Sequence, residues 1–238
     1  MKTMTIDKTT VQHDLHRLED HIILIDKPEG WTSFDVVKKV KHIGKFKKVG
    51  HAGTLDPFAT GLLILGTGRQ TRELTGISKS VKTYVARVIL GRSTDTYDRT
   101  GITVGGGNLN HFDRAKVEGI LPDFIGETEQ YAPPFSAKKI AGVRLYKLAR
   151  KGKTVTIKPH KIIIDQIKVQ GWDGYEVELL IQCSTGTYIR SLAHDIGIKT
   201  GYGACVGELR RISVDGFSLE QALQISEFEK YWRGQDLN

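Results

Sequence analysis

The sequence has little to offer metal, disulfide or membrane chemistry. Of its 238 residues only Cys183 and Cys205 are cysteine, far apart and in neither a CxxC pair nor a Cys/His cluster with ligand spacing. Two free, buried thiols in a reducing compartment are therefore predicted. No apolar run reaches the length of a signal peptide or a membrane span, and Met1 to Asp20 is polar, which points to a soluble cytoplasmic protein. Walker and Rossmann fingerprints are missing, and Gly105-Gly106-Gly107 lacks the strand-to-helix setting that turns glycines into a phosphate cradle. No repeat of solenoid period is present.

Carboxylates are missing from two segments. Lys38 to Lys48 holds six lysines and no acid, and Lys138 to Lys161 holds nine Lys or Arg and again no acid. Clustered cations neutralise phosphates and release their counterions, so these runs, with a formal charge of +8, favour a polyanionic partner.

What is present reads as a mixed α+β chain without strict βαβ alternation. His21 to Asp26 reads as a buried strand, followed by a Pro28-Glu29-Gly30 turn and a helix capped by Thr32 or Ser33. On that helix Phe34, Val36, Val37 and Val40 are predicted to face inward and the lysines outward. Leu62 to Leu65 reads as a strand or buried helix segment. Thr83 to Leu90, Ile162 to Val169 and Tyr175 to Cys183 read as strands, and Asn110 to Leu121, Gly186 to Lys199 and Ser218 to Phe228 as helical. Glu127 to Val155, with Pro133-Pro134 and the basic run, reads as an excursion from the core.

The densest segment is GHAGTLDPFATGLL, residues 50–63, with glycines at 50, 53 and 61 and one carboxylate, Asp56, before Pro57. Proline moves the preceding residue out of the helical region, so Asp56 sits on a loop or at a helix boundary. On the local pattern alone the favoured reading is Asp56 as an N-cap with Pro57 at the first helical position, a common helix start.

This segment resembles the catalytic motif of the TruB-type pseudouridine synthases. Further blocks match that family in the same order: Lys27 to Ser33 (KPEGWTS), Lys82-Thr83-Tyr84, Gly91 to Asp98, Pro134 to Lys138, Arg144-Leu145-Tyr146, Gly186 to Arg190 (GTYIR) and Leu209-Arg210-Arg211. The resemblance implies a pseudouridine synthase fold, with a mixed, mainly antiparallel central sheet flanked by helices and loops. It implies conversion of uridine 55 in the tRNA T-loop to pseudouridine without cofactor or metal, by a monomer that needs no protein partner and no membrane. Asp56 is then the essential carboxylate, attacking C1' or taking a 2' proton.

By the same resemblance Arg190 is the cation that holds the aspartate. Tyr84 stacks on the flipped base and serves its C5 proton. His51, Tyr188 and Leu209 line the base position, and Lys27 buttresses the catalytic loop. Lys138, Lys139, Arg144, Lys147, Arg150 and Lys151 grip the T-arm backbone. Many relatives continue into an RNA-binding PUA domain; here the residues after Arg211 leave room for about one strand and one helix. The organisation expected is a polar extension over residues 1–20 and a catalytic domain over 21–238, with the basic insertion at about 127–155 and no PUA domain. Two rivals remain: a tRNA-binding or folding protein without catalysis, and a glycoside-cleaving enzyme, which ordinarily needs a second carboxyl group.

Overall fold

The computed structural model describes residues 4–9, 20–136, 139–140, 142–145 and 157–234. In chain order the strands and helices are β1 Met4–Ile6, β2 His21–Lys27, α1 Ser33–Gly44, β3 Val49–Ala52, β4 Thr60–Thr67, α2 Leu74–Lys79, β5 Lys82–Leu90, β6 Ser93–Thr94 and β7 Thr103–Gly105. They continue with α3 Arg114–Ile120, β8 Gly126–Gln130, β9 Lys139–Ile140, β10 Val143–Arg144, β11 His160–Asp173, β12 Glu176–Cys183, α4 Ile189–Thr200, β13 Ala204–Val214, β14 Phe217–Ser218 and α5 Ile225–Trp232. Two compact units result, one of residues 1–84 with 210–238, the other of residues 85–209. No helix among the described residues is long and apolar enough to cross a membrane.

The first unit is built on β2 and β4, which pair antiparallel from Ile22↔Gly66 to Lys27↔Gly61. Every residue of β2 is buried, because the strand carries apolar side chains to both faces. Ile23, Ile25, Leu63 and Leu65 pack with Val36, Val37 and Val40 of α1 and Phe228 of α5. The alternate residues Ile22, Leu24, Leu62 and Ile64 pack with Leu74 and Ile77 of α2. β1 adds to β2 in parallel and places Ile6 in the first of these clusters, so residues 4–6 of the polar N-terminal stretch belong to the sheet.

Thr32 caps α1 through a reciprocal box with Asp35, and Lys45 closes it in the left-handed region. The helix differs from its sequence reading at Phe34, which is 59% exposed, while Val36, Val37 and Val40 are buried as expected. A position two residues before Val36 on a 3.6-residue helix points away from the valine face.

In the second unit β11 pairs antiparallel with both β12 and β8, and β12 buries Val177, Leu179, Ile181 and Cys183 at alternate positions. Cys183 and Cys205 are free and buried, as predicted. Glu127 to Gln130, read from sequence as the start of an excursion, is the edge strand β8; its polar residues show no alternating apolar signal. β13 was equally unmarked, since Gly207, Glu208 and the two arginines interrupt its pattern. The helix predicted from Asn110 is shortened to α3 behind an Asp113 cap, and the last is split into a short 3₁₀ turn and α5. Parallel pairs (β1·β2, β4·β13) among mostly antiparallel ones give the α+β class read from the sequence.

Candidate active site

Asp56 lies in the connection from β3 to β4, and no helix comes after it there. The Ala59 amide donates to the Asp56 carbonyl at 3.1 Å, closing a turn over Pro57 and Phe58 that runs straight into Thr60. Of the two readings Pro57 allowed, the structure adopts the loop. Asp56 itself is half-buried.

Both neighbours of Asp56 are tied to the Lys27–Ser33 segment. The Leu55 amide donates to Ser33 Oγ at 2.9 Å, and that hydroxyl donates back to the Leu55 carbonyl at 3.2 Å. On the other side the Pro57 carbonyl accepts from the Gly30 amide at 2.8 Å and from Lys27 Nζ at 3.2 Å. Gly30 holds φ +80°, a conformation glycine adopts without steric cost. Lys27 is fully buried, and its ammonium also donates to the carbonyls of Pro28 (2.9 Å) and Trp31 (2.6 Å). Burial pushes the Lys27 pKa down to about 8, against the attraction of Asp56, Glu29 and Asp26; Arg211 adds to the lowering.

Arg211, the largest fully buried side chain among the described residues, braces the same loop from β13. Its Nε donates to the Leu62 carbonyl at 2.8 Å and a terminal nitrogen to the Gly53 carbonyl at 3.2 Å, so both ends of the loop hang on one guanidinium. Gly61 permits this approach: its φ is +101°, and a Cβ there would lie 2.3 Å from the Arg211 carbonyl oxygen. His51 on β3 is half-buried, and burial, then the Arg211 charge, lowers its pKa, favouring the neutral ring. Tyr84 is buried on β5, two residues from Lys82, whose ammonium donates to the Ser78 and Ser80 carbonyls. Asp56, Lys27, His51 and Tyr84 therefore all lie in the first unit.

Tyr188, Arg190 and Leu209 lie in the second. Tyr188 precedes α4 and is held by Gln130, whose side chain accepts from its amide at 2.8 Å and donates to its carbonyl at 3.1 Å. Arg190 is buried; it donates to the Thr96 carbonyl (2.9 Å), the Phe135 carbonyl (3.0 Å) and Asp98 Oδ2 (3.4 Å). Asp98 is buried as well and accepts from Thr96 and from the Thr100 amide and hydroxyl, so this pair is desolvated with its oxygens occupied. Leu209 is buried on β13. Of the basic residues, Lys139 and Arg144 pair across the β9–β10 ribbon, and Lys138, Lys147, Arg150 and Lys151 lie outside the described residues.

Sequence reasoning assigned no role to Ser33 beyond a possible cap, nor any to Arg211. Their signals, a hydroxyl after the KPEGW turn and the second arginine of an apolar-flanked pair, acquire meaning only from contacts distant in sequence.

The description "TruB family pseudouridylate synthase (N terminal domain)" fits residues 41–189, and "tRNA pseudouridylate synthase B C-terminal domain" fits residues 190–237. The tRNA pseudouridine synthase B of Geobacter sulfurreducens is 43% identical over 211 residues, 89% of this chain and 69% of that protein. Its counterpart in Aquifex aeolicus is 46% identical over 213 residues, 88% of this chain and 73% of that one. Among solved structures, a chain of a Cbf5-Nop10-Gar1 complex matches with a TM-score of 0.72 at 26% identity, covering 95% of this chain and 63% of its own length. A chain of an H/ACA RNP bound to a substrate RNA containing 2'-deoxyuridine matches at 0.69 and 26%, covering 93% and 56%. This chain thus spans less than two thirds of each of those structural relatives.

The fold is that of a pseudouridine synthase, an isomerase scaffold. Within that class the chain belongs to the TruB family of pseudouridylate synthases. The described residues from 190 to 234, which fall within the stretch fitting the C-terminal description, hold all of α4 but its first residue, together with β13, β14 and α5.

Proposed function

We propose that this chain isomerises uridine 55 in the T-loop of tRNA to pseudouridine, with Asp56 as the catalytic carboxylate. One observation carries the reading: Asp56 stands between two residues whose backbones are both fastened to the Lys27–Ser33 segment, in a loop rather than at a helix end. A reacting group held this way needs little reorganisation when charge develops at C1'. The N1–C1' bond breaks with its electron pair leaving on the uracil, the uracil turns, C5 bonds to C1', and the C5 proton is lost while N1 takes one from solvent. Asp56 either adds to C1' and is displaced when C5 bonds there, or accepts the 2' proton and returns it as C5 bonds to C1'; both routes use the same oxygen pair.

The remaining assignments rest on the matched motifs. Tyr84 offers its ring to the extruded base and assists loss of the C5 proton. By the GTYIR and Leu209-Arg210-Arg211 matches, Arg190 is assigned the role of the carboxylate's cation, and Tyr188 and Leu209 that of uracil-lining residues. A neutral His51 suits insertion where the base has left the stack. Lys27 holds the loop through Pro57, and Lys138, Lys139, Arg144, Lys147, Arg150 and Lys151 supply salt-sensitive backbone affinity in the T-arm. The chain acts without a cofactor, a membrane or a protein partner, as a monomer in the cytoplasm, and residues 21–238, joined by strand β1 at Met4–Ile6, form the catalytic domain.

The test is release of tritium from tRNA labelled at C5 of uracil, with the product located by chemical probing. Release from the T-loop position supports the reading. Tight binding without release makes the chain a tRNA-binding or folding protein instead.

A further inference from the structure

The acid-free run from Lys38 to Lys48 has no part in the chemistry above, yet the structure gives it a shape. Phe34, Lys38 and Lys41 succeed one another at intervals of four and three residues, which places them along one side of α1, and Lys45, the exposed cap residue in the left-handed region, follows just past its end. Phe34, Lys38 and Lys41 are exposed or half-exposed on the helix, and Lys47 and Lys48 continue the exposed series toward β3. From Phe34 to Lys41 the helical part of the stripe is about 10 Å long at the helical rise.

The helix offers this stripe little counter-charge, since its one carboxylate interacts with Lys38 at the N-terminal end and none stands near Lys41 or Lys45 in the helix sequence. Asp35, its only carboxylate, is engaged with the Thr32 amide and hydroxyl at the cap. Lys39 lies off the stripe and pairs with Glu229 at 3.4 Å. Attraction of cations to a helix C-terminus accounts for Lys41 and His42, but it fades within the last turn and leaves Lys38 unexplained. At the head of the stripe Lys38 Nζ stands 4.8 Å from the centroid of the exposed Phe34 ring. An aromatic ring among ammonium groups is the composition that tracks a phosphate backbone while offering a surface to an unpaired base. Position adds to composition: α1 begins at Ser33, whose hydroxyl holds Leu55 next to Asp56.

We infer that the Phe34–Lys38–Lys41 face of α1, continued by Lys45 at its cap, is a second RNA-contact surface, docking the phosphate backbone of the substrate RNA with Phe34 as a stacking platform. The inference rests on the reading of the chain as a tRNA pseudouridine synthase and extends its RNA footprint beyond the basic insertion.

The experiment compares the full chain with three variants: Lys38→Ala/Lys41→Ala/Lys45→Ala, the same three positions changed to Arg, and Phe34→Ala. Binding of unmodified tRNA is measured across a salt series beside tritium release. Alanine at exposed helix positions preserves the fold, which thermal unfolding checks. The triple Ala variant should lower the slope of log K against log salt by about 2, given ~0.7–0.9 for each phosphate contact. The triple Arg variant should keep the slope. Phe34→Ala should weaken binding about tenfold with the slope unchanged. Equal slopes and affinities in the native and triple Ala proteins overturn the inference. Native release of tritium with equal slopes removes this surface and leaves the enzyme; stripe-dependent binding without release keeps the surface and removes the enzyme.

Discussion

The Ser33 hydroxyl engages both backbone groups of Leu55, accepting from its amide at 2.9 Å and donating to its carbonyl at 3.2 Å. With Gly30 and Lys27 on the Pro57 carbonyl, the strand–turn–helix segment that opens the fold grips the peptide on each side of Asp56. One side chain thereby links the helix start to the candidate catalytic residue.

Replacing Ser33 by Ala removes both bonds and leaves two buried backbone groups without this partner. Stability should fall by about 1–3 kcal/mol. If Ser33 positions the loop, kcat for tRNA should drop about tenfold or more while KM changes little, since small displacements of a reacting group are costly. A Ser33→Ala enzyme with native kcat and lowered Tm restricts the residue to a structural role.

Lys27 gives a pH signature. Its pKa is near 8 in the fold, against 10.5 for the free side chain. Between those values the unfolded chain holds a proton that the folded one has released, so stability contributed through Lys27 rises with pH across that window and is level below it. Urea unfolding from pH 7 to 10 should therefore show the native chain gaining on Lys27→Met as pH climbs. A stability difference that shifts toward Lys27→Met, or stays constant, above pH 8 contradicts the assignment.

Asp195 on α4 runs the other way. Burial raises its pKa from 3.8 to about 6. Through that interval the folded state holds the extra proton, so stability falls as pH rises from 3.8 to 6, and the cost of a buried carboxylate is complete at pH 7. Asp195→Asn should stabilise the chain by about 1–2 kcal/mol at pH 7, after allowance for partial exposure, and give no gain near pH 3.5. Equal gains at both pH values rule out this origin.

The legible parts of the fold were those where one strand or helix face is uniformly apolar. β2 and β5 emerge from HIILID and TYVARVIL and the valine side of α1 from its spacing, whereas LLIL, apolar throughout, left β4 open between a strand and a buried helix segment. Phe34 was misread because apolar character alone placed it inward, whereas its helical angle points it out. β8 and β13 escaped because edge position and buried arginine leave no alternating pattern. At the site, the motif marked Asp56, but Pro57 on its local pattern favours a cap over a loop. The choice is made by bonds from Ser33, Gly30 and Arg211, remote in sequence and invisible to local pattern.

The most direct measurement of the central claim is tritium release from C5-labelled unmodified tRNA by the native chain and by Asp56→Asn, with tRNA affinity determined for both. The account predicts release by the native chain, loss of at least about 10³-fold in the variant, as for removal of a group that acts in the reaction itself, and affinities within a few-fold of each other. Release at comparable rates by both proteins contradicts it.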